Sequence, residues 1–179
     1  MITKPKLELR SQQHYVAIRT QLPIPFGPLL SPMWDEVHAW LRGKSLTAAG
    51  APFIRYLTTD MEKKLDLEVG FPVAFAAAGD DRITAGILPA GRYAVLMVTG
   101  PYEGGGVFKA NVAMMEWAKE NDIVWQISTI DNAEWWEARL EFYLTDPASE
   151  PDPNKWRAEL AFLVAEARTK RKNSQMISN

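Results

Sequence analysis

The sequence predicts an α+β fold: an antiparallel sheet built from two copies of a strand-helix-strand-strand module related by a pseudo-two-fold axis, with the helices on one side. Three observations predict it. Residues 14–23 (HYVAIRTQLP) align without a gap over residues 92–101 (RYAVLMVTGP), tyrosine on tyrosine and proline on proline. Each copy then runs into a helical pattern that carries a tryptophan, Trp40 in the first and Trp117 in the second. Each closes on extended segments, Tyr56-Leu57-Thr58 matching Tyr143-Leu144-Thr145 and Glu68 matching Glu159. The modules span about residues 7–75 and 83–164, inside a single domain over 1–179 that ends in a tail, 165–179.

Taken in order, residues 7–21 are rich in alternating and β-branched positions and read as one strand, ending at Pro23. A proline-rich loop through Pro25 and Pro28 follows. Ser31-Pro32 is a helix start, serine as the cap and proline in the first turn, and Trp34, Val37, Trp40 and Leu41 give the helical spacing as far as Gly43. Residues 51–59 and 65–75 read as strands about a charged turn, 60–64. The second copy opens on an extended segment, 83–99, that Pro101 ends. Gly104-Gly105-Gly106 lacks the Lys-Ser/Thr of a phosphate loop and reads as a flexible entry to a helix over 107–121, with Phe108, Val112, Met115 and Trp117 as its stripe. The second copy is longer, through 128–138 and a turn over 146–154. Beyond Val164 the apolar spacing stops, and the tail is expected to begin as a helix end and then fray.

Composition narrows the function classes. The chain has 179 residues, 47% hydrophobic and 23% charged, with seven tryptophans, seven phenylalanines and five tyrosines, the profile of an aromatic-rich globular domain. Net charge is −2, so no broad basic surface points to nucleic acid. With no cysteine there is neither disulfide nor thiolate chemistry, and the two histidines, His14 and His38, lie too far apart for a zinc site or a Ser-His-Asp triad. No metal and no organic cofactor is expected. No apolar run approaches membrane-spanning length and no signal-peptide pattern opens the chain, which leaves the cytoplasm as the expected compartment and no membrane partner.

The last strand carries the functional argument. Side chains alternate along it, so Trp156, Ala158, Leu160, Phe162 and Val164 face one way and Arg157, Glu159, Ala161 and Leu163 the other. Glu159 therefore stands opposite the packed face, beside the small Ala161, which leaves room for a ligand. Glu68, two residues before Gly70, repeats the arrangement. In the neighbouring strand Leu140, Phe142 and Leu144 share one face and Arg139, Glu141, Tyr143 and Thr145 the other, and pairing is expected to bring Tyr143 onto the face of Glu159. A lone strand glutamate reads as a surface residue paired with Arg157 or Lys155; the repeat argues for more.

Three segments, residues 88–95 (LPAGRYAV) with Gly100-Pro101-Tyr102, residues 142–147 (FYLTDP) and residues 156–160 (WRAEL), resemble the GyrI-like small-molecule-binding family, which also supplies the effector-binding domains of multidrug-sensing regulators. The resemblance covers about residues 7–165. It implies two modules about a central cleft for hydrophobic, often cationic molecules, with a last-strand glutamate, here Glu159, as acidic anchor. No helix-turn-helix segment accompanies it, so DNA binding is not implied. Stand-alone relatives include a gyrase inhibitor and hydrolases that open the cyclopropane ring of DNA alkylators.

Two functions stay open on this reading. In one, the chain binds hydrophobic, aromatic, cationic small molecules, with Glu159, Tyr143, Tyr93, one of Trp135 and Trp136, Glu68 and Tyr56 as ligand-binding residues. In the other it hydrolyses electrophilic xenobiotics, with Glu159 as general base and Tyr143 as hydrogen-bond donor. Tyr93 and Tyr143 either donate to a ligand or close the core, while Trp40 and Trp117 fit core positions. A protein partner has no feature in its favour.

Overall fold

The structure, a computed structural model, describes residues 1–58 and 65–166. The charged turn at 60–64 and the tail beyond residue 166 lie outside the described residues. Ten strands and two helices follow in the order β1 (Lys6–Arg10), β2 (Gln13–Leu22), α1 (Gly27–Gly43), β3 (Phe53–Tyr56), β4 (Leu65–Pro72), β5 (Thr84–Leu88), β6 (Gly91–Thr99), α2 (Gly106–Glu120), β7 (Ile127–Ile130), β8 (Ala133–Trp136), β9 (Arg139–Tyr143) and β10 (Arg157–Leu163). Eight strands form one sheet in the order β1-β6-β10-β9-β3-β4-β2-β5, and β7 with β8 makes a separate hairpin. Every pairing in the large sheet is antiparallel.

Pairing registers recur in the two modules. Glu68 lies between Arg19 and Arg55, and Glu159 lies between Met97 and Phe142, which are the counterparts of those arginines in the aligned copy. The modules meet where β3 pairs with β9, and there Ile54 stands opposite Glu141.

Each of the two long strands expected from the sequence is divided. The first breaks at Ser11-Gln12, two polar residues with no apolar face to bury, and the second at Pro89-Ala90, where proline has no N–H for the ladder. The pieces before the breaks cross over: β1 pairs with β6 of the other module, and β5 pairs with β2. Helix α1 starts a turn earlier than Ser31 because Pro28 takes the first-turn position, leaving Pro32 inside the helix. The entry to α2 follows its glycines, since Gly104 and Gly105 both adopt φ of +84°, a left-handed conformation costly for other residues.

Both helices pack on one face of the sheet, α1 over β2 and β4 and α2 over β6 and β10. The buried stripe of α2 is Ala110, Met114 and Ala118, not the one expected from its larger residues. Small side chains let the helix lie close to the sheet, and Phe108, Val112 and Met115 turn outward. On the opposite face Tyr15, Phe53, Tyr93, Leu140 and Leu163 form a core of their own, with Phe142 packed against it. Phe53 links the modules there, its ring 5.5 Å from Tyr15 and 5.7 Å from Phe142.

Candidate functional site

Reading across the strands on the helix-covered face gives one row: Ile18, Val69, Ile54, Glu141, Leu160, Leu96. Five members are aliphatic and fully buried, and the sixth is a carboxylate with 3% of its surface exposed. An ionised carboxylate in such a row is costly unless donors surround it. Three do, all neutral. Asn111 Nδ2, from α2, donates to Glu141 Oε1 at 2.7 Å. The hydroxyls of Tyr56 and Tyr143 donate to Oε2 at 3.1 and 3.2 Å. The sequence places them simply: Tyr56 and Tyr143 are two residues beyond Ile54 and Glu141 on their strands, and so on the same face. Burial raises the Glu141 carboxyl above its ordinary value, against the pull of Asn111, Tyr56, the Arg139 charge and Tyr143. Burial, and then the charge of Glu141, also raises both tyrosine hydroxyls well above theirs, so they remain donors at neutral pH.

Arg139 stands two residues before Glu141 on the same face. Its Nη2 donates to Asn111 Oδ1 at 3.0 Å, so Asn111 bridges the guanidinium and the carboxylate. The guanidinium carbon lies 4.8 Å from the ring centre of Trp136, 5.0 Å from Phe162 and 5.6 Å from Tyr56, a cation enclosed by aromatic faces. Arg139 Nε and Trp136 Nε1 are both buried without an acceptor among the described residues. Burial lowers the Arg139 pKa from an ordinary value so high that the group stays charged.

Around this centre the helix face is aromatic. Trp34 of α1 packs 5.0 Å from Tyr143, and Tyr102 meets Tyr143 edge-on at 4.9 Å and Trp156 at 5.1 Å. Trp34 is fixed by its own Nε1, which donates to Phe53 O at 3.3 Å. Phe108 and Met115 lie three residues before and four after Asn111, so all three share one side of α2, the half-buried amide at its inner edge and two exposed apolar side chains beside it. Phe108 is 67% exposed.

The other face of the sheet holds the repeated glutamates, and each is matched by an arginine. Arg55 Nη1 donates to Glu68 Oε2 at 3.0 Å and to the Tyr15 hydroxyl at 2.6 Å, and that hydroxyl donates to Glu68 at 2.7 Å. Gly86 makes room for Tyr15, since a side chain there would meet the ring within 2.5 Å. Arg10 Nη1 donates to Glu159 Oε1 at 2.9 Å, and the guanidinium lies 5.7 Å from the ring centre of Tyr93, much as Arg55 lies 5.8 Å from that of Tyr15. Burial pushes the Tyr93 hydroxyl up to about 12. Beside Glu159 is a cavity of about 420 Å³ lined by Arg10, Tyr93, Leu140, Phe142 and Pro89 among others.

The expected site residues thus divide between two faces. Glu159 and Tyr93 meet at the cavity, and Glu68 shares their face in the matching triad. Tyr143 does not join them, because it pairs with Ala158 and so lies on the helix face, opposite Glu159. Tyr56 lies on the helix face as well. Trp136 packs there too, against Phe162, while Trp135 lies under Arg19 at 5.7 Å, so neither tryptophan lines the Glu159 cavity. Sequence reasoning passed over Glu141, Asn111, Arg139 and Trp34. A signal for Glu141 existed: the alignment of Tyr56 with Tyr143 sets it over Ile54, an acid in an aliphatic slot.

The comparisons with known proteins agree with this architecture. The sequence profile of the GyrI-like small molecule binding domain matches residues 3–165. No curated protein matches the chain in sequence. Among solved structures, the C-terminal domain of EcmrR is 18% identical with a TM-score of 0.73, covering 91% of this chain and 98% of that one. EcmrR in its complex with DNA is 17% identical with a TM-score of 0.76, covering 93% of this chain, which spans 58% of the EcmrR chain. A hydrolase from Listeria innocua is 12% identical with a TM-score of 0.56, covering 90% of this chain and 92% of that one. Among the described residues no helix is long and apolar enough to cross a membrane.

Proposed function

Because the chain belongs to the family of GyrI-like small-molecule-binding domains, we propose that it binds hydrophobic, aromatic small molecules over the seam of its two modules, between α1 and α2, with Glu141 as polar anchor. The observation that carries this reading is Glu141 itself, a carboxylate in an aliphatic row held by an amide and two hydroxyls. A carboxylate kept only for stability at that position is hard to rationalise, since its counterpart Ile54 fills the slot without cost. Trp34, Tyr102 and Tyr143 supply flat surfaces, and Phe108 and Met115 supply apolar area for a guest that moves in under α2.

The Glu159 cavity is the weaker candidate. Its carboxylate is bonded to Arg10, and the guanidinium covers the Tyr93 ring that a guest would use. The reading is tested with a thermal-shift screen of planar aromatic compounds, followed by titration of each hit against Trp34→Phe and Asn111→Ala. Hits are expected to weaken about three- to tenfold in each variant, the scale of one lost contact. Hits indifferent to both substitutions would move the binding site elsewhere.

A second reading, hydrolysis of electrophilic xenobiotics, is favoured by one observation: the raised Glu141 carboxyl lies within hydrogen-bond distance of two phenolic donors. In that reading Glu141, rather than Glu159, takes the proton from the attacking water, and Tyr143 donates to the oxygen that gathers charge as the strained ring opens. Incubation with a cyclopropane-bearing alkylator and mass spectrometry of the product tests it. The water adduct is expected with the native chain and about a hundredfold slower with Glu141→Gln; no adduct from the native chain removes the enzyme reading.

A further inference from the structure

We propose that the ligand bound beside Glu141 is an uncharged aromatic molecule offering a hydrogen-bond acceptor to Arg139 and Trp136 and a donor to Glu141, and that lipophilic cations are discriminated against. The inference rests on the Glu141 reading above and assigns the ligand's charge, where the family resemblance had suggested a cation. An aromatic cage with an acid beside it normally welcomes a positive charge. Here the place is taken by a residue of the chain. Arg139 lies within 5.6 Å of three aromatic ring centres and touches the same asparagine that holds Glu141.

Two features of the cluster follow from this occupancy. Arg139 and Glu141 are alternate residues of one strand, about 7 Å apart along the backbone. A ligand cation drawn to Glu141 would then meet a second positive charge nearby, which offsets part of the carboxylate's attraction. The bonding inventory also favours a neutral guest. Among the described residues, Arg139 Nε and Trp136 Nε1 are buried donors with nothing to donate to, and leaving such groups unmet is costly. A carbonyl or ether oxygen would satisfy one of them; an alkylated cation brings no acceptor. Glu141 completes the pattern, because it accepts from three neutral donors and can exchange one of them for an N–H or O–H of the guest.

The test uses three tricyclic fluorophores of similar size: acridone, with one N–H and one carbonyl; N-methylacridone, which keeps the carbonyl alone; and N-methylacridinium, a permanent cation. Titration of the native chain at neutral pH is expected to give the affinity order acridone, N-methylacridone, N-methylacridinium, with at least tenfold between first and last. Arg139→Met, checked for folding by circular dichroism, is expected to bring acridone and the cation within about threefold of each other. Should that variant not fold, the order on the native chain decides. Tightest binding of the cation overturns this inference and leaves the Glu141 reading in place, as does a tenfold preference that survives in folded Arg139→Met. Failure of all three to bind removes both.

Discussion

The two faces of the sheet each bury a carboxylate system, and they are built in opposite ways. On the open face Glu68 and Glu159 are each met by a guanidinium at 3.0 and 2.9 Å, and each guanidinium lies over a tyrosine that the two modules share by repetition. On the helix face Glu141 has no counterpart in the first module and receives only amide and phenol donors. On the proposed reading the repeated pairs serve the fold, and the unrepeated carboxylate serves the ligand. A charged pair that closes on itself has little left for a guest.

The largest effect expected from this contrast is structural. Arg55→Ala leaves Glu68 and the Tyr15 hydroxyl buried without their cation, and should cost about 3–5 kcal/mol in urea unfolding, the scale of breaking a buried pair. Arg10→Ala touches a more exposed pair and should cost about 1 kcal/mol or less. Equal losses would break the view that the first triad is the deeper structural element.

Next comes pH. Burial raises the Glu141 carboxyl in the folded chain above the ordinary 4.5, so the folded state holds that proton more tightly than the unfolded state. The contribution to stability is full below about pH 4.5 and is lost as pH rises through the raised value. Glu141→Gln removes the ionisation, so its thermal midpoint relative to the native chain should climb between pH 4.5 and pH 8. A difference that stays flat or falls over that range would mean that the three donors outweigh burial.

The smallest effect sharpens the account of the exposed side of α2. Phe108→Ser lies on the exposed side of α2 and should leave stability within about 0.5 kcal/mol. The same substitution should weaken aromatic ligands by a few fold in fluorescence titration. Lost stability without lost affinity would make Phe108 a packing residue.

Much of the fold was legible because two matched segments double the signal. Tyr15 with Tyr93 and Glu68 with Glu159 were paired on the sequence, and the observed registers agree with those pairs. What escaped were features set by contacts between modules. Nothing local announces that β1 and β5 cross to the other half, or that Ala110 and Ala118 rather than Phe108 and Val112 face the sheet. Tyr143 missed its expected face for a related reason. Alternation holds within each strand, but the face shared by neighbouring strands depends on register, and Tyr143 opposite Ala158 lies on the helix side. The ion pair of Glu159 escaped as well, since its partner Arg10 lies 149 residues away in sequence.

The central claim is that ligand binds beside Glu141 and not beside Glu159, and a paired titration tests it most directly. Glu141→Met and Glu159→Met each replace a carboxylate with an unbranched apolar side chain of similar length, and acridone is titrated into both and into the native chain. The account predicts that Glu141→Met loses about ten- to a hundredfold in affinity, the scale of about 1.5–3 kcal/mol for a bond to a charged group, while Glu159→Met stays within twofold of the native chain. The opposite pattern, with affinity lost at Glu159 and kept at Glu141, would contradict it and move the site to the cavity on the open face.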